Sequence, residues 1–182
     1  MNEMTAANLR SAYGGESQAN MRYKVWGARA REENFPNVAR LFEAIAYAEE
    51  VHAGNHFHAL ADENGSFLVA SMAGFGLKST AENLQVAING ENYELQQMYP
   101  AFMTVAWEQS ERGAIRSFRY ALEAEKIHAA LFTKAKEAVE AGNDMSLNTV
   151  RICEVCGHTH LGEIPDMCPV CAKGPEVFRA FS

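Results

Sequence analysis

The chain has 182 residues, 48% of them hydrophobic, and a formal net charge of −7. That is enough for one sizeable core plus a small appended module, and the acidic balance argues against nucleic acid or an anionic membrane as the main partner. No stretch reaches the roughly 18 uninterrupted apolar residues of a membrane span, and Met1 to Arg10 lacks the basic start and apolar run of a secretory signal, so a soluble, cytoplasmic protein is expected.

A first helix is expected from about Thr5 to Arg31, with Leu9, Ala12, Glu16, Ala19, Tyr23 and Ala30 close to one face. Pro36 suits the first position of a second helix, which carries Leu41, Ile45, Glu49, His52 and His56 and is expected to stop near Gly65. The stretch from Gly65 to Lys78 is long and fairly apolar, and should cross the outside of the fold. Ser79-Thr80-Ala81-Glu82 is a capping-box signature. The third helix that follows runs through Leu84, Ile88, Glu91, Leu95 and Met98, with a kink expected at Pro100. A fourth, from about Ser110 to Ala141, places Phe118, Leu122, Glu125 and Phe132 at helical intervals and ends at Gly142. Four long helices with one long connection describe a mainly α protein, a ferritin-like four-helix bundle over residues 1–147. Residues 148–182 hold all four Cys and three of the five Pro, and should form a separate small β module.

Each helix of the bundle carries an anomaly. Glu16, Glu49, Glu91 and Glu125 sit within apolar faces where Leu or Ile would be expected, and His52 and His128 each follow a Glu by three residues. An unpartnered buried ion carries a penalty of several kcal/mol, on the order found after protein relaxation. These carboxylates therefore need cations, and the helix centres offer few Lys or Arg. A single Glu from each of two helices with Glu-x-x-His from the other two matches the general pattern of a carboxylate-bridged di-iron bundle. The three-residue step puts both ligands of a pair on one helix face, and mixed oxygen and nitrogen donors suit iron or manganese better than magnesium or calcium. Glu94, one turn after Glu91, adds a further carboxylate that a simple oxidase site does not require. His56 could share a metal with His52 but is read as a neighbour of the site or a surface residue. His58, Glu50 and Glu123 read as surface groups.

Cys153-Glu154-Val155-Cys156 and Cys168-Pro169-Val170-Cys171 form two CxxC units, a strong signal for one tetrahedral four-thiolate metal. The stretch from Arg151 to Ser182 is below the roughly 40 residues that fold without a staple, so metal binding and folding should be coupled. Gly157 suits a left-handed turn after the second Cys; Ala172 at the equivalent place is less comfortable, by about 1 kcal/mol. Both zinc and iron accept four thiolates. Alone, the module reads as a structural zinc ribbon; beside a di-iron bundle, a one-electron iron site is favoured. His158 and His160 are not needed as ligands.

These motifs resemble the rubrerythrin family over nearly the whole chain. The resemblance is carried by Gly15-Glu16-Ser17-Gln18-Ala19-Asn20, Ala48-Glu49-Glu50-Val51-His52, Gly90-Glu91-Asn92-Tyr93-Glu94 with Met98-Tyr99-Pro100, Glu123-Ala124-Glu125-Lys126-Ile127-His128, and the rubredoxin-like tail from Cys153 to Cys171. It implies that Glu16, Glu49, His52, Glu91, Glu94, Glu125 and His128 ligate a di-iron centre, with Glu94 and His52 exchanging at one iron. It further implies that Cys153, Cys156, Cys168 and Cys171 hold a third iron per subunit, with zinc substitution possible there, and that Tyr23 and Tyr99 hydrogen-bond near the carboxylates. Tyr23 lies two turns after Glu16 on the same face; Tyr99 is poorly phased with Glu91 or Glu94, so its role rests on the resemblance.

The activity implied is a peroxidase that reduces hydrogen peroxide to water in oxidative-stress protection, with electrons relayed through the four-Cys iron. The external donor would be a carrier such as rubredoxin with its NAD(P)H reductase, since the chain has no Gly-x-Gly-x-x-Gly motif. A homodimer is implied too, with the tail of one subunit near the di-iron site of the other. Nigerythrin shares this plan. The alternatives are a ferroxidase or oxygen reductase on the same scaffold, or a non-catalytic iron-binding protein with a zinc ribbon.

Overall fold

The computed structural model describes residues 1–182. Its first helix, α1 (Glu3–Glu32), buries Leu9, Ala12, Glu16, Ala19, Tyr23, Trp26 and Ala30, a spacing of three to four that lays one stripe along a helix. A turn with Asn34 in the left-handed conformation reverses the chain into α2 (Pro36–Ala59). The two helices approach closely because the contact uses small residues: a Cβ at Gly27 would stand 3.2 Å from the Ala39 carbonyl oxygen. The N-terminus of α2 is capped from a distance. Asp144 accepts hydrogen bonds from the Asn37 N–H (2.8 Å) and the Val38 N–H (3.2 Å). At the other end α2 stops at Ala59, short of the expected Gly65, as the N–H groups of Leu60 and Ala61 turn to the tighter bonds with Phe57 and His58.

The connection from residue 65 to 78 contains no helix or strand and lies along the outside of α1, as expected. Its carbonyls at Ala70, Met72 and Gly76 accept from Ser11, Gln18 and the Trp26 indole. Leu68, Met72 and Phe75 stay exposed. Helix α3 (Thr80–Tyr93) opens with the expected capping box between Ser79 and Glu82. The distortion expected at Pro100 falls just before it, as one π turn at Glu94–Met98 leading into α4 (Tyr99–Glu108). A wide turn relieves the clash a proline ring makes with the carbonyl four residues earlier. The last long helix, α5 (Arg112–Glu140), starts two residues later than expected because Ser110 sits at φ 58°, outside helical space.

Two apolar cores stack along the bundle. One joins Trp26, Phe42, Ile45, Leu84 and Phe132; the other joins Leu9, Met98, Tyr99, Ala106 and Phe118. The anomalous carboxylates lie between them in each helix. No helix is long and apolar enough to cross a membrane. After α5 the chain still belongs to the bundle through Asp144 and the buried Met145. Then β1 (Val150–Cys153) forms the centre of a three-stranded antiparallel sheet with β2 (Thr159–Leu161) and β3 (Phe178–Phe181). Val150 and Ile152 pack on Ala44 and Ala48 of α2, fixing this module to the bundle of its own chain.

The two CxxC loops repeat one turn. Gly157 N–H donates to the Cys153 carbonyl (2.8 Å) and Ala172 N–H to the Cys168 carbonyl (2.9 Å), with φ of 77° and 58°. Only the second carries a Cβ in the left-handed region, which costs about 1–2 kcal/mol. Ala172→Gly is expected to stabilise the module by about 1 kcal/mol, read as a higher midpoint for loss of the four-thiolate metal in a denaturant titration.

Candidate metal centre

The six ligand candidates common to all four long helical segments converge. Glu16, Glu49, His52 and Glu125 each offer a donor atom within 4.8 Å of one another, and so do Glu49, Glu91, Glu125 and His128. Glu49 and Glu125 belong to both sets, so two cations held here would share these carboxylates, with Glu16 and His52 available to one and Glu91 and His128 to the other. All six side chains are at most 1% exposed. Glu94 stands outside both sets, half-buried on the π turn with its carboxyl turned towards Gly15. His52, and not Glu94, lies in the donor set.

The orientation of each group fits cations at the centre. One oxygen of each of Glu16, Glu49, Glu91 and Glu125 has no hydrogen-bond partner although fully enclosed. The partnered oxygens are held from outside: Tyr99 O–H donates to Glu16, and Tyr23 O–H to Glu91. Both imidazoles turn Nδ1 inward. His52 Nδ1 lies 2.9 Å from Glu49 and 3.3 Å from Glu125; His128 Nδ1 lies 2.9 Å from Glu125 and 3.2 Å from Glu49. Four carboxylates that leave four oxygens aimed at two shared foci are the donor set that two iron- or manganese-like cations require.

Tyr99 reaches Glu16 because of the π turn. Tyr23 follows Glu16 by two turns on α1 and crosses to Glu91; Tyr99 follows Glu91 and crosses to Glu16. The extra residue in the π turn shifts the phase, so the counterpart of Tyr23 comes one place later than a regular helix would put it. His56, left open by spacing, is fully buried and is not a ligand. Its Nδ1 meets Ser117 Oγ (2.8 Å) and its Nε2 meets Tyr99 O–H (3.0 Å). His58 is exposed, and Glu50 and Glu123 face solvent beside Lys24 and Lys126, as expected.

Three further residues were not legible as site residues. Ser117 is one. The others come from the small module, whose segment 157–159 covers the outer nitrogens of both imidazoles. Thr159 Oγ1 lies 2.8 Å from His128 Nε2. Gly157 backs directly on His52: a Cβ there would overlap the imidazole. Ligation at Nδ1 leaves Nε2–H to donate to Thr159, which fixes the ring and its tautomer. Nothing in the spacing of the tail specifies which bundle face it meets.

The four Cys are free, with Cys153 and Cys171 sulfurs 3.6 Å apart and Cys156 and Cys168 sulfurs 3.5 Å apart. A tetrahedron with metal–sulfur bonds of about 2.3 Å has edges of roughly 3.8 Å, so the set fits one metal ion. The hydrogen bond from Cys156, with backbone N–H groups of Val155 and Cys156, holds the Cys153 thiol down to about 5, while burial pushes Cys171 up to about 11. His158 and His160 take no part in the sulfur set.

The bundle cluster holds protons when no cation is present. Burial, then Glu94 and Glu49, push Glu16 well above the carboxylate range; burial, then Glu49 and Glu91, do the same to Glu125. Burial also raises Glu49, but His128 and His52 outweigh it and hold it low. Burial lowers His128, yet Glu49 and Glu91 lift it to about 10. Cation binding needs carboxylates charged and ligating nitrogens bare, so it must expel these protons. Loading metal-free protein with Mn²⁺ or anaerobic Fe²⁺ near neutral pH is expected to acidify a weakly buffered solution by more than one proton per chain. Apparent affinity should fall as pH falls. A pH-indicator titration with no proton release would show that the buried carboxyls were already ionised.

The comparisons with known proteins agree with this geometry. The rubrerythrin family pattern matches residues 7–136, and the rubredoxin-like domain of rubrerythrin matches 152–179. Rubrerythrin-2 of Clostridium acetobutylicum is 49% identical, over 99% of this chain and 98% of its own. Nigerythrin of Nitratidesulfovibrio vulgaris is 34% identical, over 97% and 86%. The solved structure of fully reduced, all-ferrous nigerythrin superposes with a TM-score of 0.86 at 32% identity, covering all of this chain and 88% of that one. With its ligand-bearing bundle and its four-cysteine module both matched in sequence and in fold, the chain belongs to the rubrerythrin family.

Proposed function

We propose that the protein reduces hydrogen peroxide to water at a di-iron centre, with electrons supplied one at a time from a four-thiolate iron in the small module. The observation that carries this reading is the contact of segment 157–159 with both inward-ligating imidazoles. A purely structural zinc ribbon has no need to touch the metal ligands of another site. Cys156 precedes Gly157 directly, so the backbone offers a short route from a thiolate to His52. The route lies inside a low-dielectric interface.

When bound, two ferrous ions supply one electron each, and hydrogen peroxide accepts two. The balance closes as H₂O₂ + 2H⁺ + 2e⁻ → 2H₂O with no electron left over, whereas dioxygen needs four. The chain contributes an enclosed donor set: Glu49 and Glu125 hold the two positions together, and Tyr23 and Tyr99 each occupy one oxygen of a terminal carboxylate. His52 within its donor set and Glu94 just outside support an exchange of the two at one iron.

The proposed setting is a reducing cytoplasm with rubredoxin and an NAD(P)H-dependent reductase as donor, and assembly as a homodimer. The exposed apolar connection, with Leu68, Met72 and Phe75, supports association. Gly157 and Thr159 meet the imidazoles of their own chain's bundle, so the proposed relay can run within one subunit of such a dimer.

Stopped-flow absorbance on anaerobically reduced, iron-loaded protein tests the reaction. Rapid return of the ferric four-Cys colour with hydrogen peroxide and slow return with dioxygen is expected. Fast oxidation by dioxygen alone, or no visible four-Cys iron, would move the reading to the oxidase or zinc-ribbon alternatives. Gly157→Ala tests the route. Ala172 already occupies the matching left-handed position, so the knuckle tolerates Ala and the added methyl acts mainly by displacing His52. Electron return from the four-Cys iron should slow by at least about tenfold, with the four-Cys metal retained and the metal beside His52 held more weakly because its ligand is displaced.

A further inference from the structure

We infer that Ser117, His56 and Tyr99 form a proton relay from the surface to Glu16, resting on the peroxide-reducing reading above. The reading requires two protons per peroxide at a site with no exposed ligand, and the chain of hydrogen bonds runs inward without a break. Ser117 Oγ lies 2.8 Å from His56 Nδ1, His56 Nε2 lies 3.0 Å from Tyr99 O–H, and Tyr99 O–H donates to Glu16.

The direction follows from donor and acceptor roles. Tyr99 gives its hydrogen to the Glu16 carboxylate, so at His56 its oxygen accepts and Nε2 must carry N–H. A neutral imidazole then has a bare Nδ1, which accepts from Ser117 O–H. Every donor in the chain points toward the metal centre. The outer end opens on a surface pocket of about 100 Å³ lined by Ser117 with Asn55, His58, Arg116 and Tyr120, room for several waters. Phe118 packs against both the His56 ring (5.5 Å between centroids) and the Tyr99 ring (6.0 Å), holding the two in register.

The other half of the centre provides the contrast. Tyr23 donates to Glu91 much as Tyr99 donates to Glu16, but behind it stand Trp26, Phe42 and Phe132, with centroids 5.2–5.9 Å away. Its hydroxyl makes no hydrogen bond other than the one to Glu91, although Arg22 lies over its ring. The two tyrosines share one task at the carboxylates, and only Tyr99 is continued by a chain of hydrogen bonds.

For each proton the reduction consumes, Tyr99 would hand its hydrogen to Glu16, which passes one on to the oxygen being reduced and ends as the carboxylate it began as; bound metals would supply the two electrons. Tyr99 is re-protonated from His56 Nε2, His56 from Ser117, and Ser117 from pocket water. The passage leaves His56 in its other tautomer with the hydroxyls turned, so the chain delivers one proton and must be re-formed before the next. The groups act through Glu16 and are positioning residues for proton transfer.

The test uses full-length, iron-loaded protein with Ser117→Ala and His56→Ala. Reduced protein is mixed with hydrogen peroxide in H₂O and in D₂O while an indicator dye follows proton uptake. Slowing of at least about tenfold in both variants, a larger solvent isotope effect in Ser117→Ala, and recovery of His56→Ala by added imidazole are expected, with iron content unchanged. Independent of turnover, ¹⁵N NMR of His56 in diamagnetic zinc-loaded protein should show Nε2–H with Nδ1 as acceptor. Unaltered proton uptake in Ser117→Ala, or an Nδ1–H tautomer, would overturn the relay. If His56→Ala fails to load iron, Ser117→Ala and the tautomer decide. Wild-type protein that ignores peroxide but oxidises with dioxygen would sink the peroxide reading alone; the isotope effect with dioxygen and the tautomer would still judge the relay.

Discussion

Burial of four carboxylates and two imidazoles between two apolar cores is the constraint on which the rest of the structure depends. Each core by itself is an ordinary helix-packing solution, with Trp26, Phe42 and Phe132 at one end and Leu9, Tyr99 and Phe118 at the other. The layer between them is not stable as a set of free charges, since each unpaired buried ion carries a penalty of several kcal/mol on the usual scale. Protons relieve it in the metal-free protein and cations relieve it in the loaded one. The bundle must therefore bring all four helices to the same depth, because Glu49 and Glu125 serve both foci and neither focus is complete from one helix pair.

That requirement gives the layer an approximate two-fold symmetry, and the chemistry resides in the departures from it. Glu16 with Glu49 and His52 mirrors Glu91 with Glu125 and His128, and Tyr23 mirrors Tyr99. The π turn breaks the symmetry once, by placing Glu94 beside the site with no counterpart on α1. His56 breaks it a second time, giving Tyr99 a polar neighbour where Tyr23 has aromatic rings.

Most of this layer was legible in the sequence because charge on an apolar helix face is a strong signal. The spacing of Glu16, Glu49, Glu91, Glu125, His52 and His128 specifies depth and face, and the fold places them together. Tyr99 resisted the same reasoning because phase counting assumes 3.6 residues per turn, and the π turn ahead of it adds one. His56 was visible at one turn from His52, but spacing cannot say whether a polar residue finds a partner; its partners come from α4 and α5. Ser117 is a common helix residue with no pattern of its own. The helix ends were missed by a few residues where they depend on backbone conformation, as at Ser110. Ala172 was read correctly because a repeated motif reveals its turn geometry.

The docking of the small module was the least legible feature, and the geometry of the imidazoles explains why it matters. A histidine that ligates through Nδ1 turns Nε2 away from the metal, and that nitrogen needs a partner or an apolar cover. The bundle supplies neither for His52 or His128. Thr159 serves His128, and the bare backbone of Gly157 lies against His52. Both contacts come from the three residues that follow Cys156, so whatever fixes the four-thiolate knuckle also fixes the two rings. Loss of the module's metal would loosen β1 and this segment together, and the di-iron ligands would lose their outer support. The two metal sites are thus coupled mechanically, through a contact in which glycine allows the close approach and threonine accepts the outer N–H.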